Sequence, residues 1–397
     1  MEWNISPLDT FFFRGPQPLI RGEFTFLRSI FPPTPQTSQG FVRTAILKSK
    51  CKNIQLYSRS QCHNCSDTKV CLLPDTIGDP KDRRKPGKIS LRGPYLMQLH
   101  GGRVRRLFPS PCDLISYKDN NGDIKYSRLA PTRAIECDLG LVSLPVTPDR
   151  FNTCDLITES GLQSYLSGEI PPRTEILAGR STVIDKDNKF LWDPEQKVGI
   201  ARDGQTHVAQ NHMLYSIEMI RLRPGISLGI RVDGLSNELE LSVTGAQNLG
   251  GEGRMASVSL QKESPLPIPK NLVGDIDKTG RFRLMLLQPA DFDGSWLPPG
   301  FKAADKDGLR VWKGTINGFQ LSLISACTGK PVKIGGWDVA ARGPAPVKCC
   351  VPAGSVYYFQ IDPKQGEKVV ASFHDKCIGN REGFGFGHAA IGSWNEA

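Results

Sequence analysis

The stretch Leu249-Gly250-Gly251-Glu252-Gly253-Arg254 constrains this chain more than any other. Three glycines in four positions let the backbone take φ > 0 and let another stretch of backbone come close. The residues that follow, Met255-Ala256-Ser257-Val258-Ser259-Leu260, alternate apolar and polar as a strand requires. The segment therefore reads as a tight turn feeding a strand. Successive N–H groups in such a turn make a nest for an anion, and Arg254 adds a fixed positive charge. A plain connection into an edge strand uses the same residues. No Lys-Ser or Lys-Thr pair follows, so the turn is not a P-loop. It opens a strand where a dinucleotide fingerprint opens a helix.

A chain of 397 residues has the length of about two domains, and 40 glycines with 30 prolines imply many turns. No apolar run approaches the ~20 residues of a membrane span. Met1-Glu2-Trp3-Asn4-Ile5-Ser6 lacks a basic cap and an apolar signal core, so a cytoplasmic protein is expected. The net charge is +10, and nine basic residues fall between Lys81 and Arg106 (Lys81, Arg83, Arg84, Lys85, Lys88, Arg92, Arg103, Arg105, Arg106) against the single acid Asp82. Such a cluster is either a polyanion footprint or a solvated basic loop.

Pro32-Pro33-Thr34-Pro35 cannot be helical as a run, and Thr37 or Ser38 is placed to cap a helix from about Gln39 to Lys48. Phe41, Val42, Ala45 and Ile46 form its apolar face. Gln39 and Arg43 lie one turn apart near the expected N-terminus, where N–H groups and the macrodipole favour a phosphate. Upstream, Phe11-Phe12-Phe13 reads as core, because three rings in sequence cannot all face one groove. Arg14 and Arg21 beside that turn are the better nucleic-acid candidates.

Of eleven cysteines, Cys51, Cys62, Cys65 and Cys71 have the spacing C-x10-C-x2-C-x5-C. Two thiolates two residues apart grip one tetrahedral ion, and two more complete a closed S4 shell, which describes a structural zinc without an open position. His63 could replace one thiolate. The remaining cysteines read as small core residues.

The order of elements becomes strand, capped helix, long insertion, two strands over 213–222 and 226–232, short helix, and the strand after the glycine turn. That order predicts an α+β chain with two ferredoxin-like (RRM-like) units. The first takes 1–50 plus 205–262, with a zinc-knuckle element over 51–80 and a basic, hairpin-bearing insertion over 81–204. The second takes 270–397 and ends on another glycine-rich turn, Gly383 to His388.

With these pieces in place the chain resembles the Cas5-like RAMP proteins that form the third subunit of the Cmr module in type III-B CRISPR effector complexes, with counterparts in type III-D. The resemblance rests on Ile5-Ser6-Pro7-Leu8-Asp9-Thr10 with Phe12-Phe13-Arg14, on Pro33 to Leu47, on Val198-Gly199-Ile200-Ala201-Arg202-Asp203, and on Leu214-Tyr215-Ser216. Further on, Leu249 to Arg254, Gly335-Gly336-Trp337-Asp338, Val351 to Val356 and Gly385-Phe386-Gly387-His388-Ala389 carry it. It implies a non-catalytic subunit that grips the 5′ handle of the CRISPR RNA. Such a subunit lies against the large polymerase-like subunit and the first backbone RAMP subunit. An inserted thumb hairpin, here from the 81–204 insertion, would disturb the guide–target RNA duplex. On that reading Arg14, Gln39, Arg43, Lys197, Arg202 and Arg254 meet phosphates or base edges, and Gly250, Gly251 and Gly253 allow close approach. Two rival readings differ in class. An endoribonuclease would use His207 and His212 near Tyr215 as proton-transfer groups, and a zinc-stabilised scaffold would chiefly join other proteins.

Overall fold

The computed structural model describes residues 1–16, 25–62, 71, 73–79, 87–179, 190–262, 264–338 and 343–394. It is a mixed α+β protein of mostly strands with few helices. Two compact units divide it, Met1–Val104 with Arg180–Glu263 and Lys333–Lys348, and Arg105–Gly179 with Ser264–Val332 and Cys349–Ala397.

In the first unit the strands Gly245–Asn248, Met255–Gln261, Glu2–Pro7, Ile226–Asp233 and Ser90–His100 neighbour one another in that order, all antiparallel. The strand expected over 213–222 is real but longer, Ala209–Leu222, and it lies elsewhere. It pairs with Trp192–Arg202 as a long hairpin and, in parallel, with Thr25–Leu27. Ser90–His100 takes the place beside Ile226–Asp233. Most of its middle is buried on both faces, so it carries no period-two signal.

The helix spans Pro35–Lys50 and starts four residues before the expected Gln39. Thr34, not Thr37 or Ser38, is its cap, and its hydroxyl accepts the Thr37 N–H at 3.4 Å. Pro35 fits the first helical position because the N–H it lacks would have no helical partner there. The expected apolar face is buried, Phe41, Val42, Ala45 and Ile46 included, and the Phe41 ring meets Trp3 edge-on at 6.3 Å. Full burial of a side chain such as Phe41 or Ile46 contributes about 1.5–3 kcal/mol.

The second unit runs its main sheet in the order Lys376–Cys377, His388–Ser393, Arg281–Leu286, Val356–Gln360, Phe319–Cys327, Leu309–Ile316, Gly140–Pro145, Pro131–Cys137. The last two strands and the helix Glu159–Leu166 come from the segment expected as an insertion into the first unit. They belong here because they complete this unit's packing. Val142 joins its core, and Gly392 has no Cβ where the Leu166 carbonyl oxygen would stand 2.5 Å away. Phe282 packs at 5.6 Å from Phe359 and 5.8 Å from Phe373, with Ile276, Leu284 and Tyr357 in the same core. On the other face of Arg281–Leu286, the buried Arg283 donates to the carbonyls of Ser393 and Tyr165, both at 2.8 Å. The Asp113 carboxylate faces it at 3.6 Å and accepts hydroxyls from Tyr165 and Tyr358, each at 2.7 Å. Among the described residues no helix is long and apolar enough to cross a membrane.

Candidate nucleic-acid interface

The segment Phe11–Arg14 supports the glycine turn. Phe11 exchanges two 2.8 Å backbone hydrogen bonds with Ile220 of the long hairpin, and the next carbonyl, Phe12, accepts the Gly251 N–H at 2.8 Å. Alternate rings leave the segment in opposite directions, as expected of core. Phe12 packs with Leu27, Ile217 and Met219, whereas the Phe11 ring meets Phe13 in a tilted pair at 5.2 Å.

Over this support the turn crosses between the strands Gly245–Asn248 and Met255–Gln261. It closes with Leu249 N–H donating to the Arg254 carbonyl at 3.0 Å. Gly250, Glu252 and Gly253 hold φ of 89°, 58° and 66°. A Cβ on Gly250 would stand 2.6 Å from the Phe12 carbonyl oxygen, while Gly253 has nothing within 4 Å. The backbone that Gly250 and Gly251 approach is thus the chain's own, and the Gly251 N–H is already used. Residues 250–253 remain exposed above it.

Arg254 does not project as an isolated charge. Its Nη1 donates to Asp9 at 2.9 Å, and Asp9 also takes Arg221 at 3.0 Å, which in turn holds Glu195 at 2.7 Å. The Arg221 hydrogen bond is the main reason the Asp9 carboxyl titrates below its ordinary value. Arg254 therefore fastens the end of the turn to the loop after the first strand.

The other expected residues are dispersed. Arg14 is exposed and bridges Ser29. Lys197 and Arg202 stand exposed on Trp192–Arg202, opposite Ile217 and Ala209. Gln39 and Arg43 sit in the second and third turns of a helix that begins at Pro35, so the N-terminal phosphate argument fails for both. Burial holds the Arg43 guanidinium below its ordinary range, with nearby Tyr57 pulling the other way. Of the basic cluster, Arg92 pairs with Asp233, and Arg106 grips Glu159 through two bonds at 2.7 and 3.0 Å. Lys88 and Arg103 are exposed; Lys81, Arg83, Arg84 and Lys85 lie outside the described residues, as does Arg21. Cys65 does too; burial is the main cause that pushes the nearby Tyr57 hydroxyl up to about 12, with Asp79, Cys62 and Cys51 adding smaller contributions. His207 sits in the hairpin's turn at φ 57°, and the side chain of His212 is not described.

Sequence reasoning missed the exposed apolar residues of that hairpin, Val198, Ile200, Val208 and Leu214. Their alternation was present in the sequence, but alternation alone does not say which face lacks a cover. The second glycine turn, by contrast, is structural. Phe384 and Phe386 are buried, and a Cβ on Gly387 would collide with the Ile378 carbonyl oxygen at 1.9 Å.

The fold and site define a mostly β, α+β protein that presents an exposed glycine turn and cation-bearing strands. A family model, CRISPR-associated protein (Cas_Cmr3), matches residues 3–394, and the chain belongs to that family. No curated protein matches. The chain is similar, at 16% identity and a TM-score of 0.47, to a chain in the cryo-EM structure of the Type III-B Cmr-beta bound to cognate target RNA and AMPPnP, state 1, covering 90% of this chain and 86% of that one. It is also similar to a chain of the crystal structure of the Csm3-Csm4 subcomplex in the type III-A CRISPR-Cas interference complex, at 15% identity and a TM-score of 0.41 over 100% and 99%. At these scores the assignment rests on the family match.

Proposed function

We propose that this chain is a non-catalytic subunit of a type III CRISPR effector ribonucleoprotein that holds the 5′ handle of the CRISPR RNA. On this reading it adjoins the large polymerase-like subunit and a backbone RAMP subunit. The observation that carries the reading is the exposed 250–253 tip, braced on Phe12, which Arg14 follows two residues later, in a chain of this family. Single-stranded RNA is held by phosphate contacts for affinity and by splayed bases for selectivity. An open turn of small residues admits the backbone closely. Arg14, Lys197 and Arg202 supply charge, and Arg254 keeps the turn in place.

The long hairpin Trp192–Arg202 with Ala209–Leu222, whose first strand ends the 81–204 segment, takes the thumb role beside the target RNA. In the first unit the strand order Met255–Gln261, Glu2–Pro7, Ile226–Asp233, Ser90–His100, joined through the helices Pro35–Lys50 and Asn237–Leu241, supports a ferredoxin-like reading. In the second, His388–Ser393, Arg281–Leu286, Val356–Gln360 and Phe319–Cys327 follow the same order. There a strand pair, Lys302–Lys306 with Leu309–Ile316, stands where the first crossover helix would be. A structural zinc held by Cys51, Cys62, Cys65 and Cys71 belongs to the same proposal.

Crosslinking of CRISPR RNA in the assembled complex tests the reading. Peptides covering Phe11–Arg14 and Leu249–Met255 should carry the 5′ handle, and crosslinks confined to other segments would overturn it. Incubated with repeat RNA, the purified chain should show no turnover. Cleavage abolished by His207→Ala or His212→Ala would make it an endoribonuclease instead.

A further inference from the structure

Trp3, Trp192, Trp312 and Trp394 are 0–8% exposed, and Trp296 packs partly buried against the second unit's core. Trp337 is 63% exposed. It stands on the strand Val332–Asp338, paired with Gly343–Cys350, so its backbone is fixed. Gly335 and Gly336 precede it; Pro16 and Val347 pack where a Gly335 side chain would stand, each 3.3 Å from its Cβ position, and only Gln36 comes within 4 Å of the Gly336 position.

The neighbours of this strand tie it to the proposed RNA path. A Cβ on Gly335 would stand 3.3 Å from Pro16, two residues past Arg14, and one on Gly336 would stand 3.9 Å from Gln36. Gln36 lies in the first turn of the 16-residue helix Pro35–Lys50, which carries no acid there. Lys333 is exposed on the same strand as the ring. A solvent-facing indole on a paired strand that also exposes Lys333, beside the segment that carries Arg14, suits stacking on an unpaired base of a bound strand.

We propose that Trp337 is a stacking platform for an unpaired base of single-stranded RNA. This rests on the RNA-binding reading above and adds a residue to it. Because every base has a π-face, the contact adds affinity with little sequence preference.

The test uses the full chain and an oligoadenylate of about ten nucleotides. The RNA should quench tryptophan emission, and Trp337→Phe should abolish that quench while keeping most of the affinity. Trp337→Ala should weaken binding by about 5- to 100-fold, with an unchanged thermal melt and an unchanged salt slope, since no phosphate contact is removed. Unaltered affinity in Trp337→Ala together with no quench in the wild type would overturn the stacking role while leaving RNA binding intact. Failure of the wild-type chain to bind RNA at all would overturn both readings. Should Trp337→Ala keep its RNA affinity but lose a protein subunit from the assembled complex, the ring serves a protein contact and the proposal is wrong.

Discussion

Arg14 and Arg254 have the same charge and different surroundings. Arg14 is exposed two residues past the Phe12 that braces the glycine turn, and Arg254 is held by Asp9 at that turn's end. Sequence supplied both as cations, but only the fold brings Asp9 within reach of Arg254. The glycines separate similarly. Gly250→Ala meets both a positive φ and the Phe12 carbonyl, whereas Gly253→Ala meets only the φ. Urea unfolding should show a cost of about 1 kcal/mol for Gly253→Ala and distinctly more for Gly250→Ala. His374 offers a pH test. Its Nε2 donates toward the Leu266 and Pro267 carbonyls at 3.3 and 3.1 Å, and its Nδ1 accepts the Ile391 N–H at 3.4 Å, which requires the neutral ring. Burial is the main cause of its lowered pKa. A depressed histidine stabilises the fold above the unfolded value of about 6.5, and that contribution is lost as pH falls toward the folded value. The urea midpoint should therefore drop between about pH 7 and about pH 5, and His374→Gln should flatten that drop.

Single elements were legible where one face meets water and obscure where packing decides. The hairpin Leu114–Lys118 with Ile124–Arg128 follows its Asn-Gly turn as expected, and so does the strand after the first glycine turn. The helix Gly366–Phe373 was missed because Val369-Val370 argues for a strand; burial of Val369, Val370 and Phe373 overrides that preference. Leu272–Thr279 was missed because it contains Gly274 and buries only Leu272 and Ile276. The misplaced start of the Pro35 helix is itself testable. Thr34→Ala should cost about 1 kcal/mol in chemical denaturation, and Thr37→Ala should cost much less.

Across the whole molecule, net charge overstated the surface available to a polyanion, because Arg92 and Arg106 are engaged by acids. Replacing Arg14, Lys197 and Arg202 by alanine should reduce the salt dependence of RNA binding by about 0.7 log units per lost phosphate contact. Arg106→Ala should instead lower the melting temperature, leaving the Glu159 carboxylate without its bidentate partner. Elemental analysis of reduced protein should find about one zinc per chain, and Cys62→Ser should remove it. The adjacent peptide units of Phe11 and Phe12 fasten two separate projections, the long hairpin through Ile220 and the glycine tip through Gly251. Lengthening the chain by one residue at that junction would slip both anchorages together, so any tolerated change in length has to be accommodated elsewhere.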